Sequence, residues 1–391
     1  MGTVLTTVRV LRLTVLSLIW VCLSVGPVFL AQESTRPTGP ALIPYRKGSW
    51  GFCDVKRKVV IEPKYDSATQ FSEGLAAVQL DGRWGFVDKS GREVAPLKYD
   101  LVLPFSEGLA PVELSRKWGF VNKRGEEVVP LKYDVVLQFS EGLAAVELNK
   151  RMGFIDKAGN EVIPLKYDSD RGLLLENSIQ PVREGLAMVI LNGKWGFIDR
   201  TGRQVIPPKY DFALPFSGGL ARVGKIENGY RFKYGFIDRA GRVVVPLRYE
   251  GAEKFSEGLA AVGLKNNKEG YIDKSGKTVI PLKYYRAGSF SEGLAAVQLR
   301  RDGRWGFISK SGKQVIPFKY GYAWEFSESL AAVVVNNKVG YIDRSGKMVI
   351  PPRYRVPEVT DGSPCSFSRG LAYVEEMGGY IGRDGTEFFE R

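Results

Sequence analysis

The sequence predicts an all-β protein: a tandem array of about ten three-stranded antiparallel β-meander units, packed as a propeller-like toroid, with an open β superhelix as the alternative. Three observations predict it. One phrase, close to W-G-F-I-D-K-S-G-K-x-V-I-P-L-K-Y-D and then F-S-E-G-L-A-A-V, recurs from Trp50 to the end of the chain. Its W-G glycine falls at Gly51, Gly85, Gly119, Gly153, Gly196, Gly235, Gly270, Gly306, Gly340 and Gly379. Within each copy apolar residues alternate with period two between short glycine-bearing turns, which is strand patterning. A fixed period of this length belongs to arrays and propellers, where each unit needs its neighbours to bury its apolar faces.

The elements of one unit follow in order. Leu75–Leu80 alternates, Asp81-Gly82-Arg83 turns the chain, Trp84–Asp88 alternates again, and Lys89-Ser90-Gly91 turns it back into Glu93–Ala95. Gly91, Gly125, Gly159, Gly202, Gly241, Gly276, Gly312 and Gly346 occupy the loop position that needs positive φ, open to glycine without steric cost. Pro96 and its equivalents are expected to end the third strand, since proline donates nothing to a ladder. Trp84 and Phe86 point to one face and Gly85 and Val87 to the other, so both faces are apolar and both need cover. The alanines at Ala76 and Ala77 are small enough to let neighbouring sheets approach closely.

In the phrases Trp84-Gly85-Phe86, Trp118-Gly119-Phe120 and Trp195-Gly196-Phe197, each followed by the D-x-x-G turn and the P-x-K-Y run, the chain resembles the bacterial WG-repeat (KWG-repeat) family. The resemblance spans nearly the whole chain after the first forty residues. It implies an all-β repeat protein, often exported and usually without an assigned activity. The Trp position is Met152, Tyr234, Glu269, Val339 and Gly378 in five copies, so the indole is not an obligatory ligand contact.

Three segments are expected: 1–31 as a signal peptide or signal anchor, 32–40 as a linker, and 41–391 as the repeat domain. Arg9 and Arg12 precede the uncharged run Leu13–Ala31, the order of a secretory signal. Ala31 suits a cleavage site and Phe29 does not, so an uncleaved anchor stays open beside cleavage. Either reading places the repeats outside the cytoplasm, secreted or at the cell envelope. Cys53 and Cys365 are the cysteines beyond that segment. They invite a disulfide in an oxidising compartment, stapling the seam of a closed ring, although Cys53 also fits a core slot as a small hydrophobe.

Composition bounds the chemistry. The chain has no histidine, which removes Ser-His-Asp and Cys-His nucleophile systems, a His general base and His-ligated zinc. No metal site and no cofactor are expected. Lys and Arg number 56 against 43 Asp and Glu, and a repeated cation precedes the tyrosine of nine units: Lys64, Lys98, Lys132, Lys166, Lys209, Arg248, Lys283, Lys319 and Arg353. In a regular array this column forms a basic stripe or ring suited to an anionic polymer. Alternatively the stems cover the adjacent tyrosines and discourage edge pairing. Asp100, Asp134, Asp168 and Asp211 follow in the same phrase and are expected to blunt the field. Nucleic acid is not an expected partner, because no base-reading module is recognisable.

Trp324 stands outside the repeat columns and is the candidate for stacking on a sugar. The Asp of each D-x-x-G turn and the Glu of each F-S-E-G phrase are expected to make turn hydrogen bonds. A unique catalytic pair, if there is one, belongs where the repeat breaks: Ser169–Pro181, with Asp168, Asp170, Arg171 and Glu176 in or beside it, then Lys225–Lys233 and Arg355–Ser366. Carboxylates alone suffice for glycoside hydrolysis, so a carbohydrate-active hydrolase is the third reading. The first is a non-enzymatic exported scaffold binding protein or glycan at the envelope, and the second is a polyanion-binding module.

Overall fold

The structure, a computed structural model, describes residues 42–169, 182–227, 229, 231–265, 268–356 and 366–390. Segments 1–31 and 32–40, together with Cys365, Asp170, Arg171 and Glu176, lie outside the described residues. The described chain is almost entirely strand, and its one helical element is a three-residue 3-10 turn, Glu375–Met377.

Among the described residues there are nine antiparallel sheets of three or four strands and a terminal two-stranded hairpin. The Gly85 sheet shows the plan. Strands Leu75–Leu80, Arg83–Asp88 and Glu93–Tyr99 form the expected meander, and Ser67–Ala68 adds a fourth, two-residue strand on the other edge. Six sheets carry that fourth strand, where the sequence pointed to three. Two residues carry no periodicity, so nothing local announces it.

Proline does not end the third strand. Glu93–Tyr99 runs through Pro96, and its pairing with the middle strand slips from Phe86↔Ala95 to Trp84↔Tyr99. The extra residues bulge out of the ladder, where a missing N–H is harmless. The bulge also explains the W-G glycine. A Cβ on Gly85 would sit 2.6 Å from the Ala95 carbonyl oxygen, and one on Gly119 would sit 2.4 Å from that of Val129. The bulged backbone thus lies directly over the glycine.

Blades pack face to face, as the doubly apolar sheets require. Trp84, Phe86 and Tyr99 of one blade share a buried cluster with Ala110, Val112 and Val121 of the next. Phe105, from the F-S loop leading into that next blade, meets Phe86 edge-on at 4.8 Å. Equivalent contacts recur at 4.6–5.0 Å, for example Phe236–Phe255 and Phe307–Phe326. Each such pair contributes about 0.5–1.5 kcal/mol beyond the area it buries. The turn glycines adopt the expected positive φ, Gly91 at 85°, and Gly91 packs on the core Ile61 of the preceding blade.

The two ends of the array meet. Arg46 bridges Phe389 in parallel. Its N–H donates to the Phe388 carbonyl at 3.2 Å, and the Glu390 N–H donates to the Arg46 carbonyl at 2.8 Å. Trp50 meets Tyr380 at 6.1 Å, and the Arg369 guanidinium donates to the Phe71 carbonyl across 298 residues. The terminal hairpin Leu371–Val374 and Gly379–Gly382 therefore packs between the ninth sheet and the first sheet, Ile43–Lys47, Ser49–Cys53 and Val59–Tyr65. The array closes as a nine-bladed β-propeller. Nine of the ten W-G glycines lie in the nine sheets, and the tenth, Gly379, lies in the terminal hairpin.

Replacing Gly119 with Ala forces a methyl group into the Val129 carbonyl and is expected to destabilise by about 1–3 kcal/mol. Gly251→Ala, with nothing within 4 Å of the added Cβ, is expected to change stability by less than about 0.5 kcal/mol. Urea unfolding midpoints of both variants check the contrast.

Candidate binding surface

The surface begins with the third strand of each blade. Its inward side chains are buried and its outward ones are wet: in Glu93–Tyr99 Ala95 and Tyr99 are buried while Glu93, Pro96 and Lys98 are exposed. The cation column occupies that exposed phase. Lys64, Lys98, Lys132, Lys166, Lys209, Arg248, Lys283, Lys319 and Arg353 are all exposed, at one register position of nine successive edge strands. Each charged group lies over the ring of the following tyrosine at 5.0–5.4 Å. The tyrosines beneath are fully buried, and burial raises the hydroxyl pKa of Tyr99, Tyr167, Tyr210 and Tyr354. The cations are thus held against a rigid aromatic layer with their heads in water.

Acids of the same phrase do not pair with them. Asp100 pairs with Arg83 and accepts the Ser115 N–H at 2.7 Å. Asp134 takes Lys117 at 2.7 Å and the Asn149 N–H at 2.8 Å. Asp168 binds Arg151 at 2.6 Å and Asp211 binds Lys194. These acids bridge a hairpin to the loop of the following blade and are already neutralised there. Within the column and among the described residues, the one ion pair is Arg353 with Glu387 at 3.5 Å. The expected blunting of the column by its own aspartates is not what the geometry shows.

The other repeated carboxylates have structural work. Glu73 of the F-S-E-G loop reaches the next blade, accepting the Gly108 N–H at 3.0 Å and pairing with Lys123 at 2.9 Å. Glu107, Glu141, Glu257 and Glu328 repeat this reach. The sequence pointed to hydrogen bonds within a turn, and the structure shows ties between blades. In the D-x-x-G turns Asp199 caps its own loop, accepting from the Thr201 hydroxyl at 2.6 Å and from the Thr201 and Arg203 N–H groups. Those bonds lower its carboxyl pKa from 3.8 to about 2.

Trp324 is not on the surface. It is 5% exposed, meets Tyr322 at 4.6 Å and belongs to a core cluster between blades, so it has no open face for a sugar. Its position looked unique because it leaves the repeat columns, but the residue that departs fills space under the neighbouring blade. Cys53 is fully buried with a free thiol, and burial pushes its pKa up to about 11. In the 169–181 insertion the described Ser169 hydroxyl donates to the buried Glu147 at 2.5 Å. The Lys225–Lys233 break is a lengthened hairpin, Leu220–Glu227 and Arg231–Asp238. The residues around its base were passed over in the sequence, although an Arg at position 222 in the alanine column was a readable signal. No group of three or more potential metal ligands occurs among the described residues, and none of their helices is long and apolar enough to cross a membrane.

The family described as "WG containing repeat" matches nine segments between residues 50 and 355, among them 50–84, 84–118, 195–229 and 305–338. No curated protein matches the chain. Among solved structures a eukaryotic initiation factor aligns over 90% of this chain and 95% of its own, at 12% identity and a TM-score of 0.53, a likeness of fold. PorZ, a surface component of the type-IX secretion system of Porphyromonas gingivalis, aligns over 88% of this chain and 54% of its own, at 12% identity and a TM-score of 0.27. The extracellular domain of a putative one-component system from B. thetaiotaomicron aligns over 89% and 56%, at 12% identity and a TM-score of 0.28.

The capping aspartates give a pH signature. A carboxyl whose folded pKa is depressed stabilises the fold above its unfolded pKa and loses that contribution as pH falls through the folded value. Asp88, Asp156, Asp199, Asp238, Asp273 and Asp343 are all lowered. The thermal midpoint is expected to fall between pH 3.8 and about 2, the window of Asp199. Asp199→Asn should flatten that dependence slightly, as thermal melts across this range would show.

Proposed function

The chain belongs to the WG-repeat family, and from that premise we propose that it is an exported, non-enzymatic binding scaffold of the cell envelope whose blade edges engage an anionic glycan. One observation carries this reading. Nine exposed cations recur at one position of the edge strands, and eight have no carboxylate partner among the described residues while the acids of the same phrase are paired elsewhere. A closed ring repeats the position at regular intervals, so a polymer of repeating charge meets several cations at once, and linked weak contacts add as effective concentration.

A non-enzymatic role is supported by the work of the repeated carboxylates. The F-S-E-G glutamates tie blades together and the D-x-x-G aspartates cap turns. The apolar run Leu13–Ala31 after Arg9 and Arg12 supports export. A polymer bound at the outer surface explains why the column departs so little between copies in its charge.

The test is binding of a long polyuronate by wild type and by the combined variant Lys98→Gln, Lys132→Gln, Lys283→Gln and Lys319→Gln. Exposed charges of this kind contribute up to about 1 kcal/mol each, so affinity is expected to fall about tenfold or more, with a weaker salt dependence. Binding that is indifferent to salt and equal in the two proteins would remove the reading.

A further inference from the structure

One blade departs from the repeat at four positions together. In the Gly235 blade the alanine of the L-A-A-V strand is Arg222, the residue aligned with Gln79 is Gly224, the Trp position is Tyr234, and the short first strand carries Phe212 where other blades have Leu101 or Val135. Three of these stand in one row across the sheet, because Phe212 pairs with Gly224 and Gly224 pairs with Tyr234. A Cβ at Gly224 would come 3.0 Å from the Tyr234 ring and 3.3 Å from Phe212. The glycine therefore lets the two rings close to 5.6 Å.

Arg222 lies on that pair. Its guanidinium carbon is 5.2 Å from the centre of the Phe212 ring and 5.3 Å from that of Tyr234. Nε is buried and has no hydrogen-bond partner, whereas neither terminal nitrogen is buried without a partner. Among the described residues the Arg222 guanidinium makes no ion pair within 4 Å and no hydrogen bond, and the side chain as a whole is only partly buried. Burial lowers its pKa, and Glu253 and Tyr234 oppose the shift. The hairpin is two residues longer on each strand than in the Gly85 blade, and the added length brings Phe232 parallel to Tyr234 at 5.6 Å and 9°. Phe232 is only half-buried. A fixed guanidinium fork with free N–H groups, beside a half-open aromatic ring, has the donors for a carboxylate and the face for the body that carries it.

We propose that Arg222, Phe212, Tyr234 and Phe232 form a discrete subsite for one carboxylate-bearing sugar of an acidic glycan. The guanidinium receives the carboxylate, Phe212 and Tyr234 fix its plane, and Phe232 covers the C–H face of the ring. A lone inorganic anion would leave Phe232 unused, which favours the sugar. The assignment rests on the anionic-glycan reading above, and it adds a single specific point to a surface that is otherwise repetitive.

Calorimetric titration with trigalacturonate, maltotriose and sulfate tests it. Trigalacturonate is expected to bind at physiological salt and maltotriose is not. Arg222→Lys keeps the charge and loses the fork, so affinity should fall about tenfold or more. Phe232→Ala, at a half-buried position, should weaken binding without unfolding the blade and decides the matter if Arg222→Lys lowers the thermal midpoint. Arg222→Lys should lower trimer affinity by the same factor in the fourfold Lys→Gln background as in wild type, so a failed edge column and a failed subsite are told apart. Wild-type affinity in both Arg222→Lys and Phe232→Ala, or no trimer binding by wild type, would overturn the subsite. Sulfate binding as tightly as trigalacturonate would overturn its assignment to a sugar.

Discussion

The interaction on which everything else depends is the burial of one blade's tryptophan and phenylalanine face against the alanines of the next. A meander of three short strands is too thin to be stable alone, and here each is apolar on both sides. Phe86 at 1% exposure and Ala76 at 0% belong to one blade and face opposite neighbours. Because every blade needs cover on both faces, an open array would leave two wet apolar sheets. Closure removes both, and the tail Phe388–Glu390 completes it through main-chain bonds to Arg46.

That packing sets what the polar residues can do. With the faces buried, function is confined to the edges and the loops. The F-S-E-G glutamates and the aspartates after Tyr99 and its equivalents lie along the seams and hold blades in register through backbone N–H groups and cations. The column of Lys and Arg is left on the exposed edge, backed by buried tyrosines. It also serves the fold there, since a proline bulge and a charge on each edge strand discourage pairing with another chain. The structural and binding roles are compatible, because the first uses the stems and the second uses the charged heads.

Repetition also makes exceptions readable. A residue repeated nine times has a shared job, and one that departs is released from it. Trp324 departs and fills the core under the next blade. Arg222 departs with three companions, and the group keeps unused donors. Departure alone does not separate these cases. Whether the departing side chain ends in a packed cluster or at an opening does.

The sequence by itself determined the all-β class, the meander order, the positive-φ turn glycines and the need for cover on both faces, because these depend on local periodicity and backbone sterics. It also pointed to the edge cations and to the tyrosines beneath them, which are adjacent in the chain. Tertiary structure alone decided the closure into nine blades, the fourth strand, the bulge over the W-G glycine and the pairing of each acid. Those depend on residues from neighbouring copies, as Asp100 does with Ser115 or Arg46 with Phe389, and identical copies give no local sign of which neighbour a side chain will meet.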